Sequence, residues 1–340
     1  MNIVLCYPVE DRHVQWIQAA TQVATSPTKI INAGQEGIGR AIFDADIFVG
    51  HAKVPVDWDA VVKQGRLKLI QSSAAGLDHC LVPSVIDSPI TVCSASGLFA
   101  NQVGEQTLAL LLGLLRGLPT FFRQALKKEF VRRPTDDLRG KRVGIVGFGG
   151  NGRRLAELLV PFQVTVKATD YYPVRKPATV EQLWPADRLH DLAAQSDILV
   201  LCLPLNANTE KLIDVTVFET MPHGSYLINV ARGQCVDELA LIAALKSGKL
   251  AGAGVDVTDV EPLPTESPLW ELPNVLITPH VGAQAASRVD DSTRLACENL
   301  GRFLRGESLL NLVDKGLGFP HPDTMATNQL QPVSRSQGST

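Results

Sequence analysis

The sequence lacks the marks of a disulfide-rich, membrane-spanning or nucleic-acid-binding protein. Its six cysteines are scattered without a Cys-x-x-Cys pair, so we expect reduced thiols and neither a disulfide framework nor a metal site. The formal net charge of −3 gives no electrostatic reason to expect nucleic acid or an anionic membrane as a partner. The longest apolar run, residues 107–115, is too short to cross a bilayer, and the first residues show no signal-peptide pattern. We therefore expect a cytoplasmic protein.

The sequence does contain enough apolar material for two domains, since 45% of its 340 residues are hydrophobic. Short apolar runs alternate with helical patterns along the whole chain, which is typical of α/β domains with mainly parallel sheets. Strands are predicted at residues 3–6, 47–49, 67–70, 90–93, 143–146, 164–168, 198–203, 225–230, 252–257 and 275–278. The fold class predicted is α/β, with two doubly wound parallel-sheet domains.

A glycine-rich turn follows the strand at 143–146 and leads into a helical pattern. Gly147, Gly149 and Gly152 form a G-x-G-x-x-G motif, in which the first glycine allows the tight turn. The second lets the backbone approach a pyrophosphate, and the third lets the helix pack close to the strand. The start of the helix offers N–H groups and a positive dipole end to phosphates. This order of strand, glycines and helix predicts a dinucleotide site, although flexible loops also use glycines.

The choice between NAD and NADP rests on Asp170, which ends the next predicted strand about 20 residues past the turn. Its carboxylate can accept hydrogen bonds from the hydroxyls of an adenosine ribose and would repel a 2′-phosphate. No arginine is adjacent, which favours NAD. Arg175 and Lys176 lie close enough in sequence to leave NADP as a second option.

Chemically capable side chains follow several later strands, and the carboxyl ends of parallel strands should gather along one edge. Arg232 could bind a carboxylate through its planar fork. His280 could transfer protons, and Glu261 could pair with its ring, favouring the protonated form and fixing the tautomer. Taken singly, each has a plainer interpretation: a structural ion pair for Arg232, a structural histidine for His280 and a surface acid for Glu261. In the first domain, residues 72–78 and 94–97 could cradle a carboxylate or be ordinary turns.

Several ordered motifs together resemble those of the D-isomer-specific 2-hydroxyacid dehydrogenase family. They are Gly147-x-Gly149-x-x-Gly152, Asn229-Val230-Ala231-Arg232-Gly233, Asp256-Val257-x-x-x-Glu261-Pro262 and Thr278-Pro279-His280-Val281-Gly282, with Ala75-Gly76-Leu77-Asp78 nearer the start. The resemblance covers residues 45–312. It implies a Rossmann coenzyme domain at 101–282 inserted into a flavodoxin-like substrate domain made of 1–100 and 283–317. Residues 318–340, rich in Pro, Ser, Gln and Thr, are expected to be a disordered tail.

The resemblance also implies roles for individual residues in an NAD-dependent reaction on a 2-oxo or D-2-hydroxy acid, in a homodimer. Arg232 would bind the substrate carboxylate with help from the backbone of Ala75 and Gly76, and His280 would be the acid–base catalyst with Glu261 as its partner. The coenzyme would be bound by Gly147, Gly149, Gly150, Asn151, Gly152, Asp170, Leu203, Pro204, Val230, Ala231, Arg232, Asp256, His280 and Gly282. Asn151 departs from the family, where an apolar residue is usual.

Two other functions fit the same motifs. A dehydrogenase of another small anion, of the phosphite or formate type, shares the fold, but the acidic Glu261 argues against a formate-type site, where an amide is general. A corepressor-like NAD-sensing module would keep the motifs and bind coenzyme without turnover.

Overall fold

A computed structural model describes residues 1–24 and 26–325 of the chain. The strands are β1 (Asn2–Cys6), β2 (Lys29–Asn32), β3 (Ile47–Gly50), β4 (Leu69–Ser72), β5 (Thr91–Cys93), β6 (Arg142–Val146), β7 (Thr165–Asp170), β8 (Gln182–Pro185), β9 (Ile198–Leu201), β10 (Ser225–Asn229), β11 (Leu250–Val255), β12 (Val275–Ile277), β13 (Val313–Asp314) and β14 (Phe319–Pro320). The α-helices are α1 (Asp11–Ala20), α2 (Gly34–Ala41), α3 (Trp58–Gln64), α4 (Pro83–Asp87), α5 (Ala100–Leu115), α6 (Leu118–Leu126), α7 (Gly150–Leu159), α8 (Leu189–Ala194), α9 (Val215–Thr220), α10 (Glu238–Lys246) and α11 (Arg288–Arg305). Among these helices none could span a lipid bilayer.

The chain divides into two compact units. Unit 1 comprises Met1–Leu98 and the described residues from Val289 onward, and unit 2 comprises Phe99–Arg288. The boundaries thus fall outside the 101–282 segment expected for the coenzyme domain. The predicted tail requires a correction, because Phe319–Pro320 forms β14 and pairs antiparallel with β13. The prediction of a disordered tail is therefore wrong for residues 318–325. Residues 326–340 lie outside the described part of the chain.

Unit 1 contains a five-stranded parallel sheet in the order β2-β1-β3-β4-β5, which is the expected flavodoxin-like order. Helix α11 returns to cover one face of this sheet, where Ala296 and Leu300 pack in the same apolar cluster as β1 and β3. Asn299 attaches the helix further, since its amide donates to Gln71 Oε1 (2.6 Å) and to the Leu310 carbonyl (2.9 Å). These buried contacts explain why the end of the chain belongs with its beginning.

Unit 2 contains a seven-stranded sheet in the order β12-β11-β10-β9-β6-β7-β8, with every neighbouring pair parallel. The strand order reverses between β6 and β9, the position at which open α/β sheets bind ligands. Helix α5 packs on this sheet through Leu110 and Leu114. Gly254 makes room for it, because a Cβ there would lie 2.9 Å from Leu110 Cβ.

Strands β2 and β8 were not predicted from the sequence, and both are the outermost strands of their sheets. Each is half-exposed and has two partly buried central residues, Ile30 and Ile31 in β2 and Leu183 and Trp184 in β8. An edge strand that faces solvent does not need the continuous apolar run that marks a central parallel strand. The predicted central strands were found, with ends that differ by a few residues.

Candidate active site

The candidate residues of unit 2 follow the carboxyl ends of its parallel strands, so they share one edge of the sheet. Gly147–Gly152 follow β6, Asp170 ends β7, Leu203 and Pro204 follow β9, Val230–Arg232 follow β10, Asp256 and Glu261 follow β11, and His280 and Gly282 follow β12. The gathering of strand ends along one edge, expected from the sequence, is confirmed for unit 2. The contacts described next bring together Arg232, Glu261, His280 and Asp256.

The three glycines of the turn occupy different surroundings. Gly147 has a φ of +88°, and a Cβ on it would lie 2.8 Å from the Cys202 carbonyl carbon. A Cβ on Gly152 would lie 2.4 Å from the Gly147 oxygen, so helix α7 packs directly on the turn. Around Gly149, by contrast, nothing lies within 4 Å of an added Cβ. This space stands at the start of α7, beside Gly150 and the half-exposed Asn151, and it fits the pyrophosphate of a dinucleotide.

Asp170 is tied to the glycine turn by hydrogen bonds. One carboxylate oxygen accepts from the Phe148 N–H and the other from the Tyr172 N–H at 2.8 Å. Burial raises the pKa of Asp170, while these two N–H groups and the charge of Arg153 act in the opposite direction. The carboxylate is therefore held in place at the end of β7.

Arg153 is a cation near Asp170 that sequence reasoning did not single out. Its guanidinium donates to the carbonyls of Val174 (2.6 Å) and Arg175 (2.8 Å) and lies 4.9 Å from the centre of the Phe148 ring. Of the two cations considered from the sequence, Lys176 donates to a carbonyl further along the chain. Its position in the sequence could have identified Arg153, because it directly follows the third glycine and lies in the first turn of α7.

The turn that carries Arg232 is shaped by the buried Asn229 at the end of β10. The Asn229 side chain accepts from the Ala231 N–H (3.0 Å) and donates to the Arg232 carbonyl (3.0 Å). Gly233 then passes so close to the next loop that a Cβ would lie 1.9 Å from the Thr258 carbonyl carbon. This approach brings the half-buried Arg232 near the loop that carries Glu261.

Glu261 and His280 form a hydrogen-bonded pair in the structure. His280 Nδ1 lies 2.8 Å from Glu261 Oε2, and the other oxygen accepts from the Thr258 N–H at 3.2 Å. Burial acts to raise the pKa of Glu261, but the hydrogen bond and charge of His280, with a smaller effect of Arg232, hold that pKa below its usual range. The side chains are 39% and 44% exposed, so a molecule from solvent can reach the pair.

Asp256 supports the turn that presents His280. Its carboxylate accepts from the N–H groups of Val281 (3.0 Å) and Gly282 (2.8 Å), and its backbone oxygen accepts from the His280 N–H (2.8 Å). A Cβ on Gly282 would lie 2.8 Å from Asp256 Oδ2, so a larger residue would displace the carboxylate. The sequence placed Asp256 and Gly282 beside the coenzyme, and the structure adds that they bind each other.

Ala75 and Gly76 follow β4 at the carboxyl edge of the sheet in unit 1. Neighbouring residues stabilise this loop, since the Ser73 N–H donates to the Gly50 carbonyl (3.1 Å) and the Ala95 N–H to the Ala74 carbonyl (2.9 Å). In the described part of unit 1, neither the Ala75 nor the Gly76 N–H donates to another protein group. These N–H groups are therefore available to an anion, as in an anion-binding loop, or to water, as in an ordinary turn.

Comparisons with known proteins agree with this geometry. Residues 108–282 match the family model described as D-isomer specific 2-hydroxyacid dehydrogenase, NAD binding domain. The chain is 32% identical to glyoxylate reductase of Thermofilum pendens, over 83% of this chain and 85% of that protein. It is 30% identical to D-3-phosphoglycerate dehydrogenase of Methanocaldococcus jannaschii over 92% of this chain but spans only 59% of that protein. The solved D-isomer specific 2-hydroxyacid dehydrogenase of Xanthobacter autotrophicus Py2, in complex with NADPH and MES, is 30% identical, with a TM-score of 0.77 over 94% of this chain and 99% of that one.

The glycine turn generates a prediction from two matched substitutions. Gly152→Ala should lower the melting temperature by about 5 °C or more, because its methyl group meets the Gly147 carbonyl oxygen. Gly149→Ala should leave the melting temperature within about 2 °C of wild type, yet weaken NADH binding at least about tenfold by filling the phosphate space. Differential scanning fluorimetry and NADH fluorescence titration measure the two effects. Unchanged NADH affinity in Gly149→Ala would contradict a pyrophosphate-binding site at this turn.

Proposed function

Because this chain belongs to the D-isomer-specific 2-hydroxyacid dehydrogenase family, we propose that it catalyses reversible reduction of a small 2-oxo acid to the D-2-hydroxy acid. The observation that carries this proposal is the 2.8 Å contact between His280 and Glu261 on the sheet edge that also holds Arg232 and the glycine turn. A nicotinamide coenzyme, when bound, supplies or accepts the hydride. The protein supplies the proton, the charge and the orientation.

His280 is proposed as the acid–base catalyst. Glu261 binds its Nδ1, which leaves Nε2 as the ring nitrogen that can exchange a proton with the substrate oxygen. Because the pKa of Glu261 is held low, the residue is anionic at neutral pH and favours the protonated imidazole. In the reductive direction, Nε2–H donates its proton to the oxygen on which negative charge develops.

Arg232 is proposed to bind the substrate carboxylate and to stabilise that developing charge. The charge of Arg232 also acts to lower the pKa of Glu261, which supports a place for its guanidinium beside the acid–base pair. For Ala75 and Gly76 of unit 1, substrate binding stays a prediction from the family resemblance. The relative named a glyoxylate reductase favours a substrate with a small side chain, and pyruvate and hydroxypyruvate complete the first group to test.

The test of this function is the pH dependence of kcat/KM for a panel of 2-oxo acids with NADH and NADPH, and for the corresponding hydroxy acids in reverse. Reduction needs protonated His280, so it should decline as pH rises, whereas oxidation should decline as pH falls. Glu261→Gln removes the charge that favours the imidazolium. Both declines should therefore move to lower pH.

Glu266→Gln serves as the matched control, because Glu266 is an exposed acid of the same loop. His280→Gln should lower kcat/KM by about 10²- to 10⁴-fold while NADH binding persists. NADH binding without turnover of any 2-oxo acid would contradict the proposal and favour a coenzyme-sensing module. Superimposable profiles of kcat/KM against pH for wild type and Glu261→Gln would show that another group transfers the proton.

NAD is proposed as the preferred coenzyme, on the strength of the Asp170 carboxylate. Relatives do bind the phosphorylated form, since the Xanthobacter structure contains NADPH. In this chain Asp170 is anchored at the end of β7, where its charge would oppose a 2′-phosphate. Arg153 has the opposite effect on coenzyme preference, because its guanidinium would attract such a phosphate.

Asp170→Asn should narrow the preference for NADH over NADPH by about tenfold, since it removes the charge but keeps an oxygen that can accept from one of the two N–H groups. Asp170→Ala should also weaken NADH itself, because the acceptor is lost. Dissociation constants for both coenzymes, measured by fluorescence titration, test this. A wild-type protein that already binds NADPH more tightly would show that Arg153, and not Asp170, sets the preference.

A homodimer is also proposed, formed through what we call the α6 apolar face: Leu118, Phe122 and Leu126. These residues recur every four positions and so share one side of the helix. Phe122 is 61% exposed and Leu126 86% exposed, and Phe130 beyond the helix is 97% exposed. A stripe of large apolar side chains in water is typical of a protein–protein contact. The α6 apolar face lies in unit 2.

The double variant Phe122→Glu/Leu126→Glu should sediment as a monomer, because like charges would meet across a two-fold contact. Leu239→Glu is the control, as Leu239 is an exposed apolar residue on α10, away from the α6 apolar face. Sedimentation velocity at several concentrations measures the change. Dimers that persist in the double variant would show that the dimer interface does not include the α6 apolar face.

A further inference from the structure

A chain of hydrogen bonds runs from helix α5 to the turn that presents His280. Gln106 Nε2 donates to Thr278 Oγ1 at 2.8 Å, and Thr278 Oγ1 donates to Asp256 Oδ1 at 2.6 Å. Gln106 lies on α5, far in sequence from the strand-end loops, and the sequence motifs gave it no role. All three residues belong to unit 2.

The direction of this chain follows from the groups that compose it. The Asp256 carboxylate only accepts hydrogen bonds, so the single proton of the Thr278 hydroxyl must point to it. The hydroxyl oxygen can then only accept from Gln106, which requires the amide nitrogen, not the amide oxygen, to face Thr278. Each donor polarises the next, so the bond from Gln106 strengthens the bond from Thr278 to Asp256.

Asp256 in turn controls the backbone of residues 280–282. His280 has a φ of +53°, a left-handed conformation that is uncommon for a residue other than glycine. Such a conformation persists where the surroundings hold it, and here residue 256 accepts three successive N–H groups, those of His280, Val281 and Gly282. A rotation of the Asp256 carboxylate would release two of these bonds together and free the His280 turn to change.

The stem of Gln106 also lies beside this turn. A Cβ on Gly282 would lie 3.6 Å from Gln106 Cγ and 2.8 Å from Asp256 Oδ2, so Gly282 fits between the stem of Gln106 and the carboxylate. The amide of Gln106 reaches Asp256 through Thr278 on one side, while its stem borders Gly282 on the other. The helix thus limits the positions available to both Asp256 and the turn.

We propose that Gln106 is a positioning residue for His280, acting through the hydroxyl of Thr278 and the carboxylate of Asp256. This inference rests on the proposed function, in which His280 transfers the proton. Gln106 touches neither substrate nor coenzyme in this role. It sets the orientation of the carboxylate that holds the left-handed turn, and hence the aim of the imidazole.

The test uses the full-length protein with substitutions that break one link each. Gln106→Met keeps the length of the side chain and the helix propensity but removes the donor, and Thr278→Val keeps the shape but removes the hydroxyl. Each should lower kcat for 2-oxo acid reduction about fivefold, with KM and the NADH dissociation constant within about twofold of wild type. The double variant should lose no more than either single variant, because both break the same chain.

Two further variants serve as controls. Thr278→Ser restores the hydroxyl and should restore most of kcat. Gln102→Met lies one turn earlier on α5, and the Gln102 side-chain oxygen is buried without a hydrogen-bond partner in the described residues, so this change should leave kcat unaffected. If Gln106→Met lowers the melting temperature but leaves kcat unchanged, the hydrogen bonds from Gln106 to Asp256 have only a structural role and the inference is overturned. Additive losses in the double variant would overturn it as well.

A second measurement separates this inference from the proposed function. Hydrogen–deuterium exchange of a peptide covering residues 278–282 should be faster in Gln106→Met and Thr278→Val than in wild type, because the N–H groups of Val281 and Gly282 lose protection. This readout needs no turnover. If wild type reduces no 2-oxo acid, the proposed function fails, whereas unchanged exchange in both variants would overturn the positioning role of Gln106 alone.

Discussion

The candidate site depends on backbone segments that approach each other more closely than any side chain would allow. Gly147 lies against the strand end at Cys202, Gly152 against Gly147, and Gly233 against Thr258. The contacts of Gly147 and Gly233 join segments that follow different strands of unit 2, and the contact of Gly152 packs helix α7 on its own turn. These close approaches place the glycine turn, the arginine loop and the acid loop on one edge with little freedom, as a site that must hold reacting groups in fixed geometry requires.

Electrostatics then sets the state of the side chains that this framework presents. Burial alone would raise the pKa of Glu261, but the neighbouring His280 outweighs it and keeps the carboxylate charged. At Asp170 the balance is reversed, because burial outweighs two N–H donors and the charge of Arg153. The two acids on the same sheet edge thus differ in the direction of their pKa shifts, because one faces a histidine in a half-exposed pair and the other is partly buried beside the glycine turn.

Much of the fold could be predicted because buried parallel strands leave a strong apolar signature. The predicted central strands were found, and the order of strands in unit 1 is the expected one. The edge strands β2 and β8 were missed because half-exposed strands carry no such signature. The tail was predicted to begin too early, because β13 and β14 are only two residues long each and their pairing leaves no apolar pattern in the sequence.

The sequence alone determined the chemistry available to this protein: three glycines before a helix, an acid at a strand end, and an arginine, a glutamate and a histidine each after a parallel strand. It could do so because parallel strands all end on one edge, so order along the chain implies proximity in space. The pairing of Glu261 with His280 was also expected from the sequence, whereas only the tertiary structure decided the further partners that these groups meet. Asn229 donates to the Arg232 carbonyl, and Arg153 lies near Asp170. Gln106 is linked by hydrogen bonds to Asp256. Packing of the folded chain brings these residues together, and no local pattern in the sequence encodes their contacts.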